Sequence, residues 1–308
     1  MLDPLSDVIG LLRPRAVFTK GISGAGRWGV RYSSFGHPSF CVVTEGSCRL
    51  AVEGEEELTL EAGDFVLLPT TPGFTLSGFE PAAPVLVDPH AAAASADGEV
   101  RHGRPEGAAD VRMLGGYFLF GNEDSGLLLS LLPRQVHVRG VERLSILVRL
   151  LVEEARVQQS GRALILSRLV EILLVESLRL TQRPDAPAGL LRGLSHLRLA
   201  EALRKMHAEP ARSWTMAQLA KEAGLSRSAF FDRFTSNVGL PPMEYLLGWR
   251  MALAKDLLRD GDVGLAEVAE RVGYGSASTF STAFSRYVGV APGRWARGAL
   301  AGLKSRAG

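Results

Sequence analysis

Cysteine is scarce: Cys41 and Cys48 are the two in 308 residues, too few for a disulfide framework, so the expected compartment is the reducing cytoplasm. The N-terminus lacks the charged-then-apolar layout of a secretory signal. Long apolar runs are also missing. The longest beside a helical pattern, Ala163 to Val175, is broken by Ser167, Arg168 and Glu171, so no membrane segment is expected. Histidines are few, and His90, His102, His137, His196 and His207 show no mutual metal-ligand spacing, so they read as surface or core residues. There is no nucleophile elbow, phosphate loop or paired-carboxylate arrangement. The glycines of "KGISGAG" precede a β-rich run instead of opening a helix and read as turns. No cofactor and no enzyme activity are expected from such a sequence. Neither charge dominates, with 35 Lys+Arg against 33 Asp+Glu, but the balance is uneven along the chain. From Arg212 onward there are roughly 13 basic and 8 acidic side chains, a mild bias of the kind associated with a polyanion-binding segment.

What is present divides into regions. The length exceeds what one core usually organises, so two domains are expected. From Ala16 to Ser77 short β-rich runs alternate with turn signals. Glu45-Gly46 and Glu53-Gly54 read as hairpin turns of a meander closing towards a barrel or sandwich, which places Cys41 and Cys48 on adjacent strands. Pro81 to Asp110 reads as loop with one strand at "PVLVD", and "RMLGGYFLF" reads as a further strand. Two helices follow, Val141 to Gln159 and Arg162 to Gln182. Their apolar residues recur at three- and four-residue steps, for packing on the barrel, for a dimer interface, or for both. "RPDAPAGLLRG", residues 183–193, carries helix breakers and reads as a linker between domains 1–182 and 194–308.

The last region holds one pattern twice. In "MAQLAKEAGLSRSAFFDRFTSNVGLPPMEY", Ala220, Gly224, Ser226, Phe230, Phe234, Gly239, Pro242 and Tyr245 match positions of a second stretch, "LAEVAERVGYGSASTFSTAFSRYVGVAPGRW". The matching residues there are Ala269, Gly273, Ser276, Phe280, Phe284, Gly289, Pro292 and Trp295. Each copy makes sense as helix, turn, helix. A small alanine permits close crossing, the glycine ends the first helix in the left-handed conformation, the serine caps the second helix, and two phenylalanines form its core face. "MEYLLGWRMALAKDLLRDG" between the copies reads as a longer helix holding them apart. Two such second helices on one face of DNA would enter successive major grooves about 34 Å apart.

This doubled motif resembles the DNA-binding domain of the AraC/XylS family of bacterial transcription regulators over roughly Ala200 to Arg297, most specifically at "GYGSASTFSTAFSRYVGVAPGRW". The resemblance implies double-stranded DNA as a partner. Its base-reading positions fall here on Ser228, Phe231 and Asp232 in the first copy and on Ala277, Ser278, Ser281 and Thr282, with Thr279 beside them, in the second. Arg227, Arg233, Arg286, Lys255 and Arg294 are phosphate candidates, while Arg250 reads equally as an internal salt-bridge member. Asp232 stands where such regulators often carry an arginine, so it departs from the pattern. The first part, with "FCVVTEGSCRLAV", "LEAGDFVLLPTTPGF", "GGYFLF" and "LLSLLP", resembles the cupin-like sensor domain that precedes some of these DNA-binding domains. The expected fold is thus α+β and multidomain: a cupin-like β-barrel with a helical hairpin, then an all-α domain with two helix-turn-helix units.

That resemblance implies an apolar barrel interior, either packed or open to a small-molecule effector. Cys41, Val43, Leu50, Val66, Leu68 and Phe74 are lining candidates, with His37 at the mouth. The two cysteines read as small buried hydrophobes or as redox sensors. The family further implies a homodimer, contact with RNA polymerase, and activation of transcription. A cupin enzyme, with or without metal, accounts for the first half alone, and a non-specific architectural DNA binder for the second half alone.

Overall fold

Asp3 and Pro4 open the first helix of the computed structural model, which describes residues 3–34, 36–88, 99–119, 134–156, 159–182, 184, 187–261 and 263–298. The Asp3 side chain accepts from the Leu5 N–H, and proline at the first helical position needs no partner for a missing N–H. This helix, α1 (Pro4–Leu12), is too short to stand alone in water. It is held by burying Leu5, Val8, Leu11 and Leu12, worth about 1.5–3 kcal/mol each at full burial. Contacts divide the chain into two units, and α1 belongs with the C-terminal one, separated from it in sequence by everything between Pro14 and Thr181.

The intervening unit is a mixed sheet of ten strands among the described residues: β1 (Arg15–Ala25), β2 (Gly29–Tyr32), β3 (Ser39–Val52), β4 (Leu58–Glu61), β5 (Phe65–Leu68), β6 (Phe74–Ser77), β7 (Val85–Val87), β8 (Val100–Gly103), β9 (Val111–Leu119) and β10 (Val136–Val138). The main path runs β7-β2-β6-β3-β9-β1-β8, with β4 on β3 and with β5 between β3 and β10. β1/β8 and β2/β7 are parallel and the remaining pairs antiparallel.

β3 is the spine of this half-barrel. Its first half pairs with β5 and β9, its second half with β4 and β6. The expected hairpin at Glu45-Gly46 is therefore corrected: the strand runs through, with a register shift between Val43 and Glu45 and with Gly46 at φ +71°. A side chain at Gly46 would strike the Asp110 carbonyl at 1.8 Å, so the glycine serves a bend within the strand and not a reversal. Cys41 and Cys48 consequently share one strand; they do not face each other across two. The turn at Glu53-Gly54 does join β3 to β4, with Gly54 at φ +82°. Two further readings change. Gly21 and Gly24 of "KGISGAG" lie inside β1, where the Trp28 ring covers Gly24 and would be 2.2 Å from an added Cβ, and Gly26 alone of the three takes a positive φ. The stretch read as loop also holds β8, whose half-exposed "VRHG" carries no apolar alternation and pairs through its main chain with β1. "LLSLLP" lies outside the described residues.

Trp28, Val30, Val43, Cys48, Leu50, Leu60, Val66, Leu68, Leu76, Val111 and Met113 pack into the sheet's core. Asp64, buried in the β4–β5 turn, ties that turn down: it accepts from the Glu61 N–H at 2.8 Å and from Arg139 at 2.9 and 2.6 Å. Burial pushes this carboxyl up, but the hydrogen bonds from Arg139, Glu61 and His137 outweigh it and hold the group below its ordinary range. The described residues of this unit also form two helices, α2 (Glu142–Arg156) and α3 (Arg162–Leu180), with α3 against β1 and β10. Leu144, Val148 and Leu151, and Leu166, Val170, Leu173, Leu174 and Leu178, form their buried stripes.

The other unit is all-α among its described residues. After α1 it contains α4 (Leu190–Ser195), α5 (Leu197–Ala208), α6 (Met216–Glu222), α7 (Arg227–Val238), α8 (Pro242–Asp260), α9 (Leu265–Arg271) and α10 (Ala277–Val288). Residues 190–193 of the segment read as linker thus belong to α4, because Leu190, Leu191 and Leu194 are buried on one face. No helix among the described residues is long and apolar enough to cross a membrane.

Candidate nucleic-acid interface

Both copies of the doubled motif fold as helix, turn, helix. In the first, Thr215 and Gln218 form a reciprocal capping box on α6, Leu219 and Ala220 are buried, and Gly224 turns at φ +60°. Ser226 then caps α7 by accepting from the Ala229 N–H at 3.3 Å, and Phe230 and Phe234 are wholly buried. In the second, Val268 and Ala269 are buried, Gly273 turns at φ +83°, and Ser276 caps α10 through the Thr279 N–H at 3.1 Å. Phe280 and Phe284 repeat the buried pair. Behind each pair stands one more aromatic: Tyr245 edge-on to Phe234, and Trp295 edge-on to Phe284.

α8 serves both copies. Its first half sets Tyr245 against Phe234 of the first, and its second half gives Met251, Ala254 and Leu258 to the core of α9 and α10. Arg250 crosses between them, Nε donating to the Pro210 carbonyl and a terminal nitrogen to the Arg212 carbonyl, both at 2.8 Å. It is an internal residue as one reading allowed, but these bonds go to carbonyls rather than to a carboxylate. Burial lowers its affinity for the proton, opposed by Tyr274.

The faces opposite the phenylalanines carry the candidate DNA contacts. On α7, Arg227, Ser228, Phe231, Asp232 and Arg233 are exposed. Phe231 is 43% exposed, an aromatic ring left in water on a helix that has two others buried. On α10, Ser278, Thr279, Thr282 and Arg286 are exposed, with Ala277 and Ser281 partly covered. The hydroxyls of Ser281 and Thr282 donate to the carbonyls of Ala277 and Ser278, at 2.7 and 3.1 Å, which leaves their oxygens able to accept. Thr279 is also part of the cap, its hydroxyl 2.9 Å from that of Ser276. Lys255 does not belong to this surface. It lies in the buried face of α8 at 7% exposure, so it is withdrawn as a phosphate partner, whereas Arg294 is exposed.

The sequence did not single out His207, whose side chain is fully enclosed. Its Nδ1 lies 3.2 Å from the Asp7 carboxylate on α1 and its Nε2 2.7 Å from the Tyr245 hydroxyl, while its ring stacks on Trp249 at 3.9 Å. Nδ1–H donating to Asp7 and Nε2 accepting from Tyr245 satisfies all three groups. Burial lowers the His207 pKa below its ordinary value, with the Asp7 carboxylate opposing. Arg13, just past α1, pairs with Asp256 at 3.1 Å. The signal for this docking was the Asp3-Pro4 helix start, which says that a helix forms but not where it lands.

In the β unit, Val43, Leu50, Val66 and Leu68 are brought together in the core, with Cys41 and Phe74 partly buried against it. His37 is half-buried and stacks on Tyr117 at a ring separation of 5.7 Å. Burial raises both thiols, Cys48 to about 12, and Cys48 sits 3.8 Å from the Met113 sulfur. No group of three or more His, Cys, Asp or Glu among the described residues could hold a metal ion.

Comparison with known proteins agrees with this geometry. The cupin family model matches residues 3–182 and a helix-turn-helix domain model matches residues 219–298. An AraC-like transcription regulator of Streptomyces lividans is 40% identical over 299 residues, covering 95% of this chain and 97% of its own. A second, from Streptomyces antibioticus, is 38% identical with the same coverage. Among solved structures, ToxT from Vibrio cholerae covers 92% of this chain and 96% of its own at 12% identity, with a TM-score of 0.35, too slight a likeness to carry weight. With this sequence kinship and the doubled motif together, the chain belongs to the AraC/XylS family of DNA-binding transcription regulators, with a cupin-type domain ahead of its helix-turn-helix units.

Proposed function

We propose that this regulator reads an asymmetric DNA site with α7 and α10 in successive major grooves, as a homodimer in the cytoplasm, and that it activates transcription through contact with RNA polymerase. The observation that carries the reading is the repetition of one construction: a serine-capped helix with two buried phenylalanines and an opposite face left exposed. Capped helix starts offer backbone N–H groups to phosphate, and Arg227, Arg233, Arg286 and Arg294 are exposed to do the same. Ser228, Ser278, Ser281 and Thr282 are suited to base edges, Phe231 and Ala277 to thymine methyl groups, and Asp232 to a cytosine amino group.

The exposed apolar residues Ile146 and Leu150 on α2, and Leu164, Ile165 and Ile172 on α3, support dimerisation through the helical hairpin. Activation and polymerase contact rest on the family. For the signal, a small apolar effector at the sheet's core is favoured over oxidation, since Cys41 and Cys48 are held as thiols and the thiolate is the reactive form. Residues 183–193 would pass the signal between the two halves.

Selection from a random double-stranded DNA pool with the full-length protein, at fixed moderate salt, tests the reading. An enriched asymmetric motif spanning two major grooves supports it, and Ser278→Ala or Ser281→Ala should then shift the preferred bases with the fold intact. Binding without any enriched motif points to an architectural DNA binder, and unchanged preference in the serine variants overturns the assigned reading face.

A further inference from the structure

We infer that Asn237 is a positioning residue for the first DNA-reading helix, and that the segment Gly189–Ser195 acts on α7 through it; the inference rests on the reading of α7 as a helix that enters DNA. Both reading helices are fixed at their start by a serine cap and along their length by two phenylalanines. Neither device fixes the far end. In the second copy that end carries Tyr287, 39% exposed, and a partly buried Val288. In the first it carries Asn237 and Val238, and Val238 is 2% exposed because α4 covers it.

The covering is specific. The Gly189 N–H donates to the Asn237 carbonyl at 2.8 Å, and the Arg192 Nε donates to the Asn237 side-chain oxygen at 3.2 Å. The Asn237 amide nitrogen in turn donates to the Arg233 carbonyl, one turn back, at 2.7 Å. One side chain thus accepts from the connector and donates into the reading helix, which an aspartate or an alanine at this position cannot do. The guanidinium also places positive charge at the helix C-terminus, where it is favourable. Gly193 completes the seat: a Cβ there would lie 2.7 Å from the Val238 side chain, so the two segments meet without room for another atom. Arg198, at the start of α5, donates to the Gly224 carbonyl at 3.2 Å in the turn before α7. The first reading helix is therefore gripped at both ends by the chain that leads into it. Base readout tolerates displacements of only about half an ångström, so loosening the far end should cost affinity at the bases α7 reads.

The test uses the full-length protein and a duplex that it enriches from the random pool. A second duplex has the α7 segment scrambled, that segment being the one whose scrambling makes Phe231→Ala silent. Arg192→Ala and Asn237→Ala should each weaken binding to the first duplex about tenfold, and the double variant no more than either alone, because both remove one coupled contact. On the scrambled duplex all three should bind as the parent does. Tyr287→Ala, at the matching position of the second copy, should show no such pattern. Thermal unfolding midpoints guard against global loss, and Arg192→Ala, on a half-exposed side chain, remains informative if Asn237→Ala folds poorly. Unchanged affinity on the first duplex, or equal losses on both, overturns the inference. Failure of the parent to enrich any motif is a different result: it overturns the DNA-reading assignment itself, and the inference with it.

Discussion

The two helix-turn-helix copies share their caps, their phenylalanine pairs and their glycine turns, yet they are supported differently. The first leans on the chain around it: α1 from the N-terminus, α4 from the connector, and the enclosed His207 behind Tyr245. The second leans on the later half of α8 and on its own turn, which is packed tightly against the Pro210–Arg212 loop through Arg250. A shared reading motif therefore does not mean shared mechanical support. The first copy is held by helices that precede it in the chain, and the second by α8 and by the loop that leads into α6.

The largest effects should treat the copies alike. Phe230→Ala and Phe280→Ala each empty a wholly buried site, and each should cost about 3–5 kcal/mol in urea unfolding. A cost well below that for one of them would break the equivalence of the two cores. The turn glycines should separate the copies. Gly224 and Gly273 both have positive φ, but a Cβ at Gly224 meets nothing within 4 Å, while one at Gly273 lies 2.7 Å from the Ala211 carbonyl and 2.9 Å from Arg250. Gly224→Ala should cost about 1 kcal/mol, the left-handed strain alone, and Gly273→Ala about 2–4 kcal/mol with displacement of the Arg250 bridge. Equal costs in calorimetry would show that the second turn is looser than its packing.

How much of this was legible in the sequence follows the range of the interactions. Caps, turn glycines and paired phenylalanines act within a dozen residues, so the doubled motif could be read directly, and the resemblance supplied the family. The β unit was harder. Glu45-Gly46 looks like a hairpin because a glycine with positive φ serves a turn and a strand bend equally; only the pairing of β3 with four neighbours decides between them. Lys255 follows buried Ala254 in a helix whose other face is also covered, which local spacing cannot reveal. The docking of Asp7 on His207 joins residues 200 apart, and no periodicity carries that information.

That long-range contact should make the first copy sensitive to acid. The His207 pKa is lowered in the fold, so the unfolded chain takes up a proton that the folded one resists. The stability it contributes is complete above its ordinary value of 6.5 and is lost as pH falls towards the lowered value. Asp7→Ala should cost about 1–3 kcal/mol at neutral pH by leaving the imidazole N–H unpaired. It should also deepen the loss at pH 5.5, because the carboxylate is what opposes the lowering. Trp295, which stands in the second copy where Tyr245 stands in the first, has no hydroxyl to offer such a chain. Acid unfolding followed at both copies by hydrogen exchange should therefore begin in α7 and spare α10; simultaneous loss would erase this difference.

The caps should give the smallest and most graded contrast. Ser226 accepts from one N–H at 3.3 Å and lies 3.4 Å from the Ser228 hydroxyl, whereas Ser276 accepts at 3.1 Å and is also joined to the Thr279 hydroxyl at 2.9 Å. The shorter, doubled arrangement satisfies the helix start better, so Ser276→Ala should cost about 1 kcal/mol and Ser226→Ala about half of that. In the first copy α4 still grips the far end of α7 after the cap is gone, while among the described residues no matching hydrogen bonds hold the far end of α10, which should fray from its start. Hydrogen exchange in the first turn of each helix should thus rise further in Ser276→Ala than in Ser226→Ala. The reverse order would mean that the connector's hold on α7 depends on the cap at its other end, and that the first copy is the more delicate of the two.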